Sequence, residues 1–268
     1  MLKSNYHTHT FRCGHASGTD EEYVIEALGE GITELGFSDH IMLPGFSDPG
    51  IRGEYSQFDG YVTSINQLKV KYKDRINILL GFEAEAFQIY FPYYKELIET
   101  GVIDYLILGN HCQMNESRTI TDYFGKITTA SELYRYRDLA ISALQTGIFS
   151  CFAHPDYFMS SIEKPDKDCL NVMREIIQAS IALDVPLEVN VAGIRNGVKK
   201  IGKTERWIYP TTEFFKIASE MNAKCILGLD AHAPEQISDE DANEKAILFA
   251  RRMGLNLLEK LDIKSAHV

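Results

Sequence analysis

His7 and His9 stand two residues apart in Asn5-Tyr6-His7-Thr8-His9-Thr10. Read as an extended strand, this stretch sends both imidazoles out of one face of the pleat and into the same space. Neutral imidazoles so placed are poor core material but good ligands for a borderline divalent metal. One such pair says little, because many strands carry two histidines on a solvated face. The chain holds eight histidines: His7, His9, His15, His40, His111, His154, His232 and His267. All but the last fall at or just after the end of a segment that reads as a strand, where surface histidines without a shared task would scatter.

Carboxylates accompany them. Glu83 and Glu85 share one side of the pleat in Gly81-Phe82-Glu83-Ala84-Glu85, and Asp230 precedes His232 by two residues in Gly228-Leu229-Asp230-Ala231-His232. Seven histidines with at least two carboxylates exceed what one tetrahedral or octahedral ion can use. If these side chains converge, the site must hold more than one metal, with a carboxylate bridging. Without metal, imidazoles crowded at one mouth would need many hydrogen-bond partners.

The elements that must position them alternate. Strands are predicted over 3–9, 34–40, 76–85, 104–111, 148–154, 186–191 and 224–230, several as near-continuous apolar runs such as Tyr105-Leu106-Ile107-Leu108. Such runs suit a parallel sheet buried on both faces. Helix starts are marked by capping boxes at Thr19-Asp20-Glu21-Glu22 and Thr129-Ala130-Ser131-Glu132, and by Ser238-Asp239-Glu240-Asp241. Further helices are expected near 56–73, 91–100, 168–184 and 211–222. A seven-fold βα alternation implies a parallel sheet with helical crossovers. With no Gly-rich phosphate fingerprint after the first strand, a closed or nearly closed barrel fits better than a doubly wound sheet. Four βα loops are long (41–55, 112–128, 155–167 and 192–210), and substrate contacts are expected there.

The length of 268 residues suits one domain over 1–268, and 45% hydrophobic with 24% charged residues is ordinary for a soluble protein. A net charge of −11 disfavours nucleic-acid or anionic-membrane binding. It leaves room for an anionic substrate, because bound cations reverse the local field of a pocket. The chain opens without an apolar signal segment and has no bilayer-spanning run. Its five cysteines are odd in number and lack C-x-x-C spacing, which points to reduced thiols in the cytoplasm. Cys13 lies nearest the histidines, and packing is its expected role.

The ordered series H-x-H, His15, Ser38-Asp39-His40, Glu83, Asn110-His111, Ala153-His154-Pro155 and Asp230-x-His232 resembles the polymerase and histidinol phosphatase (PHP) family of metal-dependent phosphoesterases. The resemblance spans essentially the whole chain. The Cys13-Gly14-His15-Ala16 stretch looks most like the family's stand-alone phosphatases of L-histidinol phosphate. What it implies is a distorted seven-stranded (β/α) TIM-like barrel with three divalent ions, zinc, iron or manganese. His7, His9, Glu83 and Asp230 would hold one ion. Glu83 would bridge to a second, completed by His111 and His154, and His15, His40 and His232 would hold the third. Glu83, Asp230 and His232 would also be the catalytic groups. The implied reaction is hydrolysis of the monoester of a small phosphorylated metabolite by a hydroxide that two ions share.

Such a site needs a phosphate clamp. The basic loop Gly193-Ile194-Arg195-Asn196-Gly197-Val198-Lys199-Lys200 follows the sixth strand, and Arg195, nearest the strand end, is the expected grip. Asp156, Glu85 and Asp39 are either contacts for a cationic leaving group or orienters of ligating histidines. Tyr90, Phe91, Tyr93 and Tyr94 read as core packing, and the Pro44-Gly45 to Pro49-Gly50 stretch as a lid. An amidohydrolase would need a lysine at a mid-barrel strand end, and none is present. A family member acting on a nucleotide, a nucleic-acid end or phosphotyrosine, and a non-catalytic metal-binding barrel, are the remaining alternatives.

Overall fold

Besides two short antiparallel hairpins, 112–114 with 120–123 and 199–201 with 204–206, strand pairing in this computed structural model, which describes residues 2–263, runs in one parallel sheet. Its members in spatial order are β1 (Ser4–Asn5), β2 (Glu34–Phe37), β3 (Asn77–Ala84), β4 (Tyr105–Leu108), β5 (Cys151–Phe152), β6 (Leu187–Asn190), β7 (Lys224–Gly228) and β8 (Asn256–Leu257). All seven expected strands are present, most of them shorter than predicted. The eighth is a correction to the seven-stranded expectation. Asn256 and Leu257 pair in parallel with Lys224 and Cys225, and two residues carry no readable periodicity.

The sheet curls until its ends meet, but only at the rim where the strands finish. There the His9 amide donates to the Ala231 carbonyl at 2.9 Å and the Ala231 amide to that of His7 at 3.2 Å. At the opposite end β8 and the segment after it fill the gap. The Leu258 amide donates to Cys225 O at 2.7 Å, Ser4 Oγ to Glu259 O at 2.5 Å, and the Leu261 amide to the Tyr6 hydroxyl at 3.1 Å. The result is a distorted TIM-like barrel, closed at the mouth and wedged apart at the floor. This geometry brings the first and last ligand-bearing segments into direct contact.

Helices α1 (Asp20–Gly29), α2 (Phe58–Tyr72), α3 (Phe91–Glu99), α4 (Ala130–Gln145), α5 (Lys167–Leu183), α6 (Val191–Arg195), α7 (Thr212–Glu220) and α8 (Glu240–Met253) connect the strands. The Thr19 and Thr129 boxes form as predicted, with Glu22 and Glu132 returning to the cap amides at 2.6 and 2.9 Å. Helix α8 is capped by Asp239, one residue beyond Ser238. Helix side chains and the outer sheet face make the larger apolar core. Tyr6, Tyr105, Ile107, Cys151, Ala153 and Ile226 fill the barrel itself. Tyr105 crosses the interior beside Gly36, where an added Cβ would lie 2.2 Å from its hydroxyl oxygen. A solid floor thus underlies the mouth.

Tyr90 and Tyr94 are buried as core, and all five cysteines are buried and free. Among the described residues, no helix is long and apolar enough to cross a membrane. His267 lies outside the described residues.

Candidate metal centre

All nine expected ligands meet at the barrel mouth. Glu83, buried at the end of β3, divides its two oxygens between two groups of imidazoles. Oε2 lies 3.0 Å from His40 Nδ1, 3.5 Å from His9 Nε2 and 3.6 Å from His7 Nε2. Oε1 lies 2.9 Å from His154 Nε2 and 3.6 Å from His111 Nε2. Asp230 Oδ1 stands 3.2, 3.5 and 3.4 Å from ring nitrogens of His9, His7 and His232. His15 and His232 bring their Nε2 atoms to 3.0 Å.

The donors sort into overlapping sets whose ligand atoms lie within 4.8 Å of one another. They are His7–His9–Asp230, His7–Glu83–His154, His9–His40–His232 and Cys13–His15–His232. His9 Nδ1, His40 Nδ1 and Asp230 Oδ1 are buried without a hydrogen-bond partner. Buried polar atoms without partners are rare in folded proteins because each costs the desolvation of that group. A divalent cation among these nitrogens and oxygens removes that cost, so the donor set fits metal ions that accept mixed imidazole and carboxylate ligands.

The field is that of an ion pair cluster. Burial opposes the charge of Glu83, but His111, His7 and His40 outweigh it and hold the carboxyl well below its usual range. Asp230 behaves alike under His7, His9 and His232. Burial drives His40 well below the ordinary imidazole range and His232 down to about 3, so both stand neutral with a lone pair to offer.

Outer contacts fix the ring orientations. The Glu85 carboxylate accepts from His111 Nδ1 at 2.9 Å and from the His111 amide at 2.6 Å, which settles its reading as an orienter. Asp39 accepts from the His40 amide at 2.8 Å and from the Thr10 hydroxyl, and its Oδ1 lies 3.4 Å from His9 Nδ1. Glu188, which sequence reasoning missed, sits in β6 at 2% exposure. Its Oε1 is 2.7 Å from His7 Nδ1, while Oε2 accepts from the His154 amide at 2.9 Å and from Asn190 at 2.8 Å. The available signal was a lone carboxylate inside an apolar strand. Asn110, His154 and Asp230 hold positive φ of 51°, 30° and 47°. Three left-handed non-glycine residues at strand ends are a strained arrangement of the kind that clusters at functional sites.

Arg195 is placed otherwise than expected. Its guanidinium donates to Leu229 O from both terminal nitrogens at 3.2 Å, to Gln236 O at 3.1 Å and to Asp239 from Nε at 3.2 Å. Its donors are directed at the loop after β7, which it staples. Asp156 likewise turns away from the ligands. It accepts from the Thr211 amide and hydroxyl at 2.6 and 2.8 Å. Cys13 is fully buried and donates to Thr10 O at 3.2 Å, as packing predicts, although its sulfur also stands near His15 and His232. Tyr157 and Tyr209, also missed, wall one side of the mouth. Tyr157 lies edge-on to His111 at 5.0 Å between ring centres, and Tyr209 lies 5.6 Å from His154.

Fold and donor set together define a metal-binding (β/α) barrel. The chain belongs to the PHP domain family, whose model matches residues 5–192. It is 26% identical over 238 residues to the "Probable histidinol-phosphatase" of Deinococcus radiodurans, covering 86% of each chain. The histidinol-phosphatase of Lactococcus lactis is 23% identical over 199 residues, 71% of this chain and 72% of that one. Among solved structures, the fold is similar to that of histidinol phosphate phosphatase from Lactococcus lactis complexed with zinc, L-histidinol and phosphate. That match has a TM-score of 0.71 at 21% identity and covers 98% of this chain and 100% of the other.

Proposed function

We propose that the chain, as one catalytic unit over 1–268, is a cytoplasmic metal-dependent phosphomonoesterase that hydrolyses L-histidinol phosphate to L-histidinol and phosphate. The observation that carries this reading is Glu83, whose two oxygens face separate imidazole groups in the manner of a bridging carboxylate. The names of its relatives, together with the L-histidinol and phosphate of the Lactococcus lactis complex, support the substrate.

Three divalent ions are assigned to the site, of zinc, iron or manganese. His7, His9, Glu83 and Asp230 would hold the first, Glu83, His111 and His154 the second, and His15, His40 and His232 the third. Bound there, such ions supply positive charge that acidifies water and neutralises phosphoryl oxygens. The chain's own residues do the rest. Glu83 and Asp230 contribute fixed negative charge at the centre of the mouth, and Glu188, Asp39 and Glu85 hold the imidazoles so that little reorganisation is left for the reaction. His232, kept neutral by burial, can donate from Nδ1 to the Asp230 carbonyl at 3.1 Å, which leaves the Nε2 lone pair facing His15. The phenol of Tyr157, pushed up to about 12 by burial, stays protonated at neutral pH and can donate to a phosphoryl oxygen. Tyr157 and Tyr209 give the leaving group an aromatic wall, which suits an imidazole ring.

A phosphatase screen of small phosphorylated metabolites, before and after chelation, tests the reading. L-Histidinol phosphate is expected to give the highest kcat/KM, with activity lost to chelator and restored by divalent metal. Preference for a nucleotide would overturn the substrate, and indifference to chelation would overturn the chemistry.

A further inference from the structure

The loop between β2 and α2 carries Arg52, whose side chain is buried although the loop around it runs over the surface. Its guanidinium lies over the edge-to-face pair of Phe46 and Phe87, 5.5 and 5.8 Å from their ring centres. Its polar neighbours are all distant. Nη1 donates to Ile41 O at 3.5 Å, Nε is 3.5 Å from Asp48 Oδ2, and Nη2 is 3.6 Å from Glu85 Oε1. Nε and Nη2 make no hydrogen bond at all. A buried cation is costly, and one held so loosely needs a reason beyond hydrogen bonding.

The reason lies in what those neighbours touch. Glu85 Oε1 is the atom that faces His111 Nδ1 at 2.9 Å, and His111 Nε2 in turn faces Glu83 Oε1. Ile41 follows His40 directly, and its amide donates to Glu83 O at 2.9 Å. Glu83 and Glu85 leave one face of one strand, so two carboxylates share a small buried volume. Arg52 supplies the countercharge on the side away from the imidazoles.

We propose that Arg52 is a positioning residue for the Glu83–His111–His154 ion. It holds the Glu85 carboxylate in place, and Glu85 fixes the His111 ring with Nε2 turned to the ion. Through it, the loop between β2 and α2 and the metal centre become one mechanical unit. A lysine there would offer a single point charge and could not span Ile41, Asp48 and Glu85 together. The proposal rests on the reading of Glu83, His111 and His154 as ligands and is independent of the substrate.

Zinc binding to the full chain, measured without substrate by competition with a chromophoric chelator, tests it. Arg52→Met is expected to weaken one ion by about 10- to 100-fold, the usual effect of losing an orienting partner, and to leave the others unchanged. Arg52→Lys should recover part of the loss. Arg52→Met also leaves Glu85 buried without countercharge and can fail to fold, so Glu85→Gln and the double variant complete a cycle. The double variant is expected to bind zinc as Glu85→Gln does. Wild-type affinity in Arg52→Met, or a double variant weaker than Glu85→Gln by the full effect of losing Arg52, would overturn the proposal. A wild-type chain that binds no zinc would instead overturn the metal reading beneath it.

Discussion

Arg195 donates from both terminal nitrogens to the carbonyl of Leu229, the residue immediately before Asp230. Asp230 has positive φ, and His232 follows two residues later, with its amide donating to Gln236 at 2.7 Å. The guanidinium therefore pins both sides of the turn that presents two ligands. Arg195→Ala is expected to lower kcat and metal content by roughly 10- to 100-fold, as for other supports of metal ligands, with KM for the phosphate ester unchanged at saturating metal. Metal titration and steady-state kinetics on one preparation check this. A raised KM with full metal content would return Arg195 to the role of phosphate grip.

Glu188 serves two of the proposed ligands, His7 through Oε1 and the backbone of His154 through Oε2. Glu188→Gln keeps the shape and removes the charge. It should weaken metal binding about 10- to 100-fold and lower the unfolding midpoint of the metal-free chain, because the buried His7 imidazole loses a countercharge. Gly228→Ala should reproduce it, because an added Cβ would stand 1.7 Å from Glu188 Oε1 and displace the carboxylate. Chelator competition on both variants decides the matter. A Gly228→Ala chain that binds metal normally would show that Glu188 can shift without consequence.

Glu83 is the residue on which the largest loss should fall. Glu83→Gln retains volume but gives up the negative charge that both imidazole groups face, leaving cations bound there to repel one another with less compensation. Activity should drop by roughly 10³-fold, since a metal supplies several kcal/mol to such a transition state and each 1.36 kcal/mol is tenfold. Turnover at saturating metal and substrate is the measurement. A loss below tenfold would mean that Glu83 bridges nothing of importance.

The ligands were legible in the sequence for a physical reason. They sit at strand ends, strand periodicity tells which residues share a face, and barrel topology gathers all strand ends at one rim. His7 and Asp230 needed no more than that to be placed at the rim, whereas Glu83 and Glu85 share a face and only the family resemblance chose between them. For Arg195, residue type and loop position showed a cation near the mouth but not its direction. That direction is set by the loop around Gln236 and Asp239, which folds back over α6. Glu188, Tyr157 and Arg52 are ordinary residues in sequence, and only their packing across the barrel brings them to the metal centre. Strand β8 escaped notice because its two residues pair through tertiary contact, not through a hydrophobic pattern of their own.

His9 couples metal binding to pH. Burial disfavours its charged form, but the neighbouring Asp230 and Asp39 carboxylates outweigh that and push the imidazole up to about 9 in the metal-free chain. His7 is also raised, with Glu188, Asp230 and Glu83 overcoming its burial. In the metal-free chain the folded value for His9 lies above the ordinary 6.5. The stability it contributes is therefore complete below pH 6.5 and is lost as the pH rises through about 9. Metal binding runs the other way, because a ligating imidazole must give up its proton. Apparent zinc affinity should fall about tenfold for each pH unit below 9 for every proton displaced. Calorimetric zinc titrations at pH 7 in two buffers of different ionisation enthalpy should show at least one proton released per chain. Zero release would mean that His9 is already neutral, and that Asp230 and Asp39 do not outweigh its burial.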